Sequence, residues 1–465
     1  MRPPVTSCRL IWALLVPLLL SCGPSAETRL SGSWRGREVN GWIPVRLEGS
    51  PAQIGFQHGY LLAPEIADAL KVIQLTLPHE TKQDWAFLQT AAKTIFWPRV
   101  DQEYQEELRG ISEGLAARGV KAAITDIVVL NAFLEMSYYT DTLDKKRTSS
   151  APERCSAFVA TGSWTRGGQA VIAHNNWSGY LEGSRWNIIF DIRPEKGYRI
   201  LMDGFPGLIH SGDDFGMNSA GIVITETTIS QFKGFEQNGI PEFVRARKAM
   251  QYAASIDDFV RIMANRNNGG YANAWLVADT KRNEIARLEL GLKNVTLERT
   301  SDGYFVGANF PVNPKLAGEE TSFRVDNPDE SRNVRRARWE QLMPEFKGSI
   351  DVAVARRFMA DHYDAYGKRA DAPSERTLCG HVDLSPRGSR PWQEPYGPAG
   401  TVQAKVADAA MVQAMEMWAA MGHPCGLDFV AAEFLQRHPE YGWQRELLRD
   451  LPSRPWTRFS ARPPS

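Results

Sequence analysis

Thr140-Asp141-Thr142-Leu143-Asp144-Lys145-Lys146-Arg147-Thr148-Ser149-Ser150-Ala151-Pro152-Glu153-Arg154-Cys155-Ser156-Ala157-Phe158-Val159-Ala160 contains the change of character on which the chain turns. Up to Arg154 it is polar, charged and Pro-bearing, the composition of an exposed, cleavable loop. From Cys155 it becomes small and apolar, the start of a strand. If the Arg154–Cys155 bond is cut, Cys155 acquires a free α-amine. Such an amine titrates near ~8 and can act as base toward its own thiol without a separate histidine. A thiolate beside a cationic group has a lowered pKa and attacks carbonyls readily. Spacing alone also allows the plainer role of a small buried hydrophobe opening a strand.

Upstream of the junction the periodicity is helical. Segments 59–75, 81–95 and 101–117 carry apolar residues every three or four positions, and a fourth helix is expected over 124–136. Asp101 suits an N-cap and Gly119 a stop. Downstream come short β-like runs: Cys155–Ala160, Ala170–His174, Trp186–Ile192, Tyr198–Met202 and Gly221–Thr228. Two helices follow at 241–253 and 256–265, the second capped by Ser255. Strands resume at Ala274–Asp279, Glu284–Leu290, Val295–Arg299 and Tyr304–Gly307, then helices at 331–343 and 350–361. The tail after 380 reads as Pro-rich and irregular, with one helix over 406–421. Strands, a helix pair and strands again predict a layered α+β fold.

The chain has 465 residues, 43% of them hydrophobic, enough for a large core. Its formal net charge of +0 gives no global field for nucleic acid or an anionic membrane. Residues 1–22 read as a targeting segment: Arg2 and Arg9 precede an apolar run, Ile11 to Leu20, too short to span a bilayer. Leu19-Leu20-Ser21-Cys22 is similar to a lipobox with Cys22 lipidated; ordinary signal cleavage nearby is the alternative. Either implies export, to the periplasm, the outer membrane or the medium. Residues 23–40 read as a linker. In an oxidising compartment Cys379 and Cys425 are expected to form a disulfide, two buried thiols being the other reading, and Cys155 is then the odd cysteine. His210 beside Asp213 and Asp214 is a poor ligand set, and neither a zincin helix nor a phosphate-binding Gly-Lys-Ser/Thr is read, so no metal or cofactor is expected. No Gly-x-Ser-x-Gly elbow is read, which disfavours a serine α/β-hydrolase. The sequon Asn176-Trp177-Ser178 falls in a strand, where glycosylation is not expected.

Cys155-Ser156-Ala157-Phe158, followed by Val171-Ile172-Ala173-His174-Asn175-Asn176-Trp177-Ser178-Gly179-Tyr180, resembles the phospholipase B-like family. That family shares the N-terminal-nucleophile (Ntn) hydrolase fold with bile-salt hydrolases, penicillin acylases and the acyl-CoA:6-aminopenicillanic acid acyltransferase group. Gly49-Ser50-Pro51 with Gly55 and His58-Gly59, Phe205-Pro206-Gly207 with His210 to Phe215, Gly221 to Ile229, Gly307 to Pro311 and Ala404 to Asp408 resemble further family motifs. The resemblance implies an αββα four-layer sandwich. In it residues 41–154 form a helical pre-cleavage part and 155–465 the catalytic part, the two making one structural unit.

The resemblance also implies roles. Cys155 is nucleophile and, through its amine, base. His174 polarises the thiol or binds the substrate carbonyl, unless it is a core histidine. Trp177 stands where bile-salt hydrolases have a catalytic aspartate, and is expected as an apolar pocket wall or as core packing. Asn309 donates to the oxyanion. Thr228, then Thr227, lines the pocket. In Ser331-Arg332-Asn333-Val334-Arg335, Arg332 is the first candidate for an arginine near the nucleophile and Arg335 the second; otherwise both are surface arginines. The implied reaction is hydrolysis of (phospho)lipid acyl esters through a thioester on Cys155. The alternatives are an N-acyl amide hydrolase or acyltransferase, and an inactive lipid-anchored binding protein. The partner is then an acyl lipid or N-acyl small molecule, with no nucleic acid and with a membrane only through an anchor.

Overall fold

The strand that follows Cys155 is buried on both faces, and its alternation defines the layers. Ala157 and Val159 point into a core between two sheets, while Phe158 and Ala160 point into another core beneath helices. The computed structural model describes residues 25–143, 155–212, 215–385 and 397–461. Its strands are β1 Trp34–Arg35, β2 Ile43–Gly49, β3 Ser156–Thr161, β4 Val171–Gly179, β5 Ile188–Pro194, β6 Ile200–Gly204, β7 Gly216–Asn218, β8 Ile222–Thr228, β9 Asn273–Asp279, β10 Glu284–Leu290, β11 Val295–Thr300, β12 Gly303–Gly307, β13 Ala399–Asp408, β14 Glu416–Met421 and β15 Thr457–Ser460. One sheet runs β1-β2-β5-β6-β7-β8-β9-β10-β11 and the other β12-β3-β4-β13-β14-β15. All neighbours are antiparallel except β2 and β5, which are parallel.

Three cores separate four layers. Leu70, Ile73, Leu108, Ile111 and Val128 of the N-terminal helices cover Phe190, Ile224 and Leu288 of the larger sheet. Leu201, Val223 and Leu276 of that sheet meet Val159, Ile172 and Met417 of the smaller one. Trp339 and Phe358, from helices Ser331–Glu345 and Val352–Met359, close the outer face of the smaller sheet over Phe158 and Val406. This is the αββα sandwich. The residues before Cys155 belong to it: β2 is a strand of the larger sheet, and their helices supply one outer layer.

Helices Pro51–Leu61 and Gln102–Ala117 touch backbone to backbone. A Cβ on Gly55 would lie 1.9 Å from the Glu107 carbonyl oxygen, one on Gly59 2.1 Å from that of Ile111, and one on Gly114 2.3 Å from that of Phe56. Gly110-Ile111-Ser112-Glu113-Gly114 does have the Gly-x-Ser-x-Gly spacing, but in mid-helix, where its glycines serve this contact and Ser112 Oγ donates to the Ala122 carbonyl. The neighbouring His58 is buried, and its Nε2 accepts the Gly207 N–H at 3.0 Å. Burial, with the Arg247 charge adding, lowers its pKa to about 3, so the imidazole stays neutral. The Gly55–Gly59 and Phe205–Gly207 motifs are thus the two halves of one clasp.

The structure corrects four readings. The expected linker is tied down from residue 25. Trp34 and Arg35 pair with Arg46 and Val45, and Gln57 Nε2 donates to the carbonyls of Arg29, Ser31 and Glu48. β2 was hidden by Pro44, which reads as a strand breaker but is accommodated here. The expected helix 406–421 is the end of β13, a short helix Ala409–Ala414, a left-handed turn at Met415 (φ 55°), and β14. β13 does alternate, polar Thr401, Gln403 and Lys405 with apolar Val402, Ala404 and Val406, but the Gly- and Pro-bearing run before it masked the strand. Helix 59–75 is two helices, Pro51–Leu61 and Ala63–Thr81. Ser255 caps as expected, accepting from Asp258 N. Residues 144–154, Cys22, Asp213 and Asp214 lie outside the described residues. No helix among the described residues is long and apolar enough to cross a membrane.

Gly59→Ala is expected to destabilise the protein by about 1–3 kcal/mol through overpacking, whereas Gly442→Ala, with nothing within 4 Å of its added Cβ, is near neutral; urea titration of both variants checks this. His58 contributes a second expectation. Its folded pKa lies below the unfolded value near 6.5, so the unfolded chain binds the proton first. The contribution is therefore complete above pH 6.5 and is lost as pH falls from there toward 3. His58→Gln should flatten the stability–pH slope by up to ~1.4 kcal/mol per unit in that window.

Candidate active site

Cys155 sits immediately before β3, fully buried, with φ 92°, a left-handed conformation unusual for a residue with a side chain. Tyr271 (φ 51°) and Asn309 (φ 67°), its neighbours in the site, are also left-handed. Such backbone strain gathers where surrounding structure over-determines the geometry, as it does at active sites. Cys155 Sγ is 3.8 Å from Glu226 Oε1, and Tyr271 Oη donates to that same oxygen at 2.9 Å. His174, on β4 and paired across the sheet with Ala157, completes the group: the thiol sulfur, an imidazole nitrogen and a carboxylate oxygen lie within 4.8 Å of one another.

A second group holds the backbone of the same residue. Arg335 Nη1 donates to the Cys155 carbonyl at 2.7 Å and to Ser156 Oγ at 3.2 Å, while Nη2 donates to Asn309 Oδ1 at 3.0 Å. Asn309 Nδ2 in turn donates to the Thr228 carbonyl at 3.0 Å, and its own carbonyl accepts Ser230 N–H. The Arg335 guanidinium carbon stands 4.3 Å from the centre of the Trp177 ring, a cation–π contact. Arg335 is completely buried. Desolvation pulls its pKa down to about 9 against the opposing pull of Cys155, Glu330 and Glu375, and it stays charged at neutral pH.

The order of the two arginines is therefore the reverse of the expected one. Arg335 touches Cys155, whereas Arg332 donates to Ser230 Oγ at 2.7 Å and pairs with Glu330, one step back. Neither is a surface arginine, because the helix that bears them lies on the smaller sheet with this face inward. Trp177 is not placed as a pocket wall beside His174: successive residues of β4 alternate faces, so an odd position lies across the sheet from an even one. Trp177 braces Arg335 instead. Thr227 packs against Gly307, where a Cβ would meet its Oγ1 at 2.5 Å.

Thr228 and Asn273 are cross-strand partners on the face that carries Glu226. Thr228 Oγ1 and both side-chain polar atoms of Asn273 are buried without a hydrogen-bond partner among the described residues, which leaves them available to a bound molecule. Asn176, in the sequon, is 1% exposed and inaccessible to a glycan.

Glu226, Tyr271 and Asn273 were not singled out in the sequence. Glu226 lies inside a motif read as a whole, and a glutamate within an apolar strand was the available signal. Cys379 and Cys425 depart from the expected disulfide: both are free thiols, grouped with His362 and His381 so that one ligand atom of each lies within 4.8 Å of the others. Among the described residues two sets can thus hold a cation, this one and Cys155-His174-Glu226.

Residues 73–316 match the family model described as Phospholipase B, just over half of the chain. A "Putative phospholipase B-like 2" of Caenorhabditis elegans is 29% identical over 225 residues, covering 43% of this chain and 37% of that protein. An uncharacterised protein of Archaeoglobus fulgidus is 26% identical over 262 residues, covering 53% and 42%. The "Acyl-coenzyme A:6-aminopenicillanic-acid-acyltransferase 40 kDa form" of Emericella nidulans is 23% identical over 317 residues, covering 67% and 80%. The matched regions thus span well under two thirds of the first two proteins. A crystal structure of a conjugated bile acid hydrolase mutant from Clostridium perfringens aligns with 57% of this chain and 88% of its own, at TM-score 0.34 and 10% identity, too loose a likeness to carry an assignment.

Arg335→Met leaves three buried acceptors, the Cys155 carbonyl, Ser156 Oγ and Asn309 Oδ1, without this donor. The expected cost is about 1–3 kcal/mol for each. Arg335→Lys, which keeps the charge but not the fork, should recover only part of it. Denaturant unfolding of the two variants measures both.

Proposed function

The chain belongs to the phospholipase B family, and from that premise we propose that it is a cysteine acyl hydrolase, cut before Cys155 and acting on acyl esters of (phospho)lipids. The observation that carries the reading is the double hold on Cys155. Its sulfur is grouped with His174 and Glu226, while its carbonyl is fixed by the same arginine that fixes Asn309.

The chemistry follows from those positions. Cleavage of the Arg154–Cys155 bond gives Cys155 an α-amine, which takes the thiol proton. The thiolate attacks the acyl carbonyl and forms a C–S bond, and the carbonyl π pair moves to oxygen. Asn309, its amide oriented by Arg335 and the Thr228 carbonyl, stabilises that oxyanion through Nδ2. Collapse expels the alcohol, which takes the proton from the ammonium, and leaves a thioester. Water, deprotonated by the amine, attacks the thioester; the acid departs and the thiol is restored. His174 and Glu226 lie beside the sulfur and flank the position of the attacked carbonyl. Thr228 and Asn273 hold the substrate's polar part. The helices of 41–143 stay in place after the cut because they cover one face of the larger sheet. Export, with or without a lipid on Cys22, places the enzyme where lipid substrates are accessible.

Amide cleavage or acyl transfer to an amine is the second reading, favoured by the match to the fungal acyltransferase over 80% of that protein. The same thioester would then pass its acyl group to or from nitrogen.

N-terminal sequencing and intact-mass analysis of active protein should show two associated chains, one beginning at Cys155. Cys155→Ala should remain uncut and inactive. Asn309→Ala, once cut, should lose about 10²–10³ in kcat. Phosphatidylcholine compared with an N-acyl amide separates the two readings. An active chain continuous through 154–155 overturns both, and an uncut chain without activity points to a binding protein.

A further inference from the structure

We propose that His362, Cys379, His381 and Cys425 form a structural zinc site. One ligand atom from each converges on a common point, all within 4.8 Å of one another. His381 Nε2 lies 3.6 Å from Cys379 Sγ, 3.6 Å from Cys425 Sγ and 3.1 Å from His362 Nε2. An imidazole nitrogen has one hydrogen or one lone pair, so it cannot satisfy three neighbours at once. A cation at the centre can. Tetrahedral zinc with Zn–N near 2.0–2.1 Å and Zn–S near 2.3 Å places its ligand atoms about 3.3–3.8 Å apart, and the observed spacings lie at or just under that range. Two thiolates with two imidazoles favour zinc over calcium or magnesium, which prefer oxygen. Four protein ligands leave no open position, the mark of a structural site.

The surroundings fit a built centre. His362 Nδ1 is 3.3 Å from Asp371 Oδ1, the outer carboxylate that orients a metal-bound histidine. His423 stacks on His381 at 4.2 Å but is committed elsewhere, with Nδ1 on the Leu427 carbonyl and Nε2 on Tyr180 Oη. It orders a ligand rather than serving as one. The four ligands come from positions 17, 2 and 44 residues apart along the chain, so the ion joins the 362–381 segment to the turn at Cys425.

The joint lies next to the candidate active site. Gly380, between two ligands, is hydrogen-bonded at both its N–H and its carbonyl to Thr401 of β13. A Cβ on Gly380 would stand 2.1 Å from the Trp177 ring, the ring under Arg335. The zinc therefore fixes the backbone against which Trp177 rests. This proposal stands independently of the acyl-hydrolase reading, since it concerns ligand geometry and not turnover.

The test uses the full chain carrying Cys155→Ala, so that the second cysteine–histidine–glutamate group cannot supply a thiolate. Elemental analysis of the purified protein should find about one zinc per chain. After removal of the metal under reducing conditions, Co²⁺ should restore one equivalent with the intense visible absorption of tetrahedral thiolate coordination. His362→Gln should weaken Co²⁺ binding by at least tenfold and alter that spectrum, and Cys425→Ser should weaken binding likewise and cut the thiolate bands by about half at saturating Co²⁺. Zinc should raise Tm in the parent and not in Cys425→Ser. A Cys379–Cys425 disulfide in the isolated protein, together with failure of the reduced chain to bind Co²⁺ stoichiometrically, overturns the proposal. So does stoichiometric binding that is unchanged in both ligand variants.

Discussion

The buried guanidinium of Arg335 is the constraint on which the site depends. It binds the Cys155 carbonyl with one nitrogen and Asn309 Oδ1 with the other, and so fixes the backbone of Cys155 relative to the Asn309 amide with a single planar group. A buried charge is costly unless its protons are used, and here each partner is itself anchored. Asn309 is tied to Thr228, Ser156 lies in β3, and Trp177 covers the guanidinium face. The left-handed backbone at Cys155 and Asn309 persists within this frame. Cutting the chain just before Cys155 would free the residue's amine while the arginine still holds its carbonyl.

That frame in turn requires two sheets and two helical layers. The smaller sheet supplies Cys155 and His174, the larger supplies Glu226 and Thr228, and the outer helix 331–345 supplies Arg335. The N-terminal helices close the other side, and their glycine-lined contact at Gly55, Gly59 and Gly114 brings two backbones together where side chains could not fit. His58, kept neutral by burial, clips this layer to the Gly207 turn. Motifs that a sequence comparison would credit to function, such as Gly55–Gly59 and Phe205–Gly207, here serve packing. In β8 it is Glu226 that reaches the Cys155 sulfur.

Much of this was legible in the residues. The polar run before Cys155 and the apolar strand after it marked the junction, and the helix periodicity of 101–117 and the strand runs 274–290 placed those elements within a residue or two. β2 and β13 were hidden although both alternate: Pro44 masks the first, and the second, Thr401 to Val406, stands behind a Pro- and Gly-rich run that reads as irregular. The choice between Arg332 and Arg335 was equally hidden, because positions three residues apart lie on nearly the same face of a helix, and only the direction from which the sheet approaches decides which reaches Cys155.

By itself the sequence determined the layered α+β class and marked Cys155 as a candidate, because those signals are local: a change of periodicity and a cysteine at a polar-to-apolar boundary; Asn309 was marked by the resemblance to a family motif and not by its own surroundings. Only the tertiary structure decided that Arg335 and not Arg332 serves Cys155, that Glu226 joins His174 at the sulfur, and that Cys379 and Cys425 meet two histidines and not each other alone. Apart from Cys379 and His381, two positions apart, these bring together residues 17 to 180 positions apart. Their geometry is set by how sheets stack and helices dock, and no local pattern of residues records it.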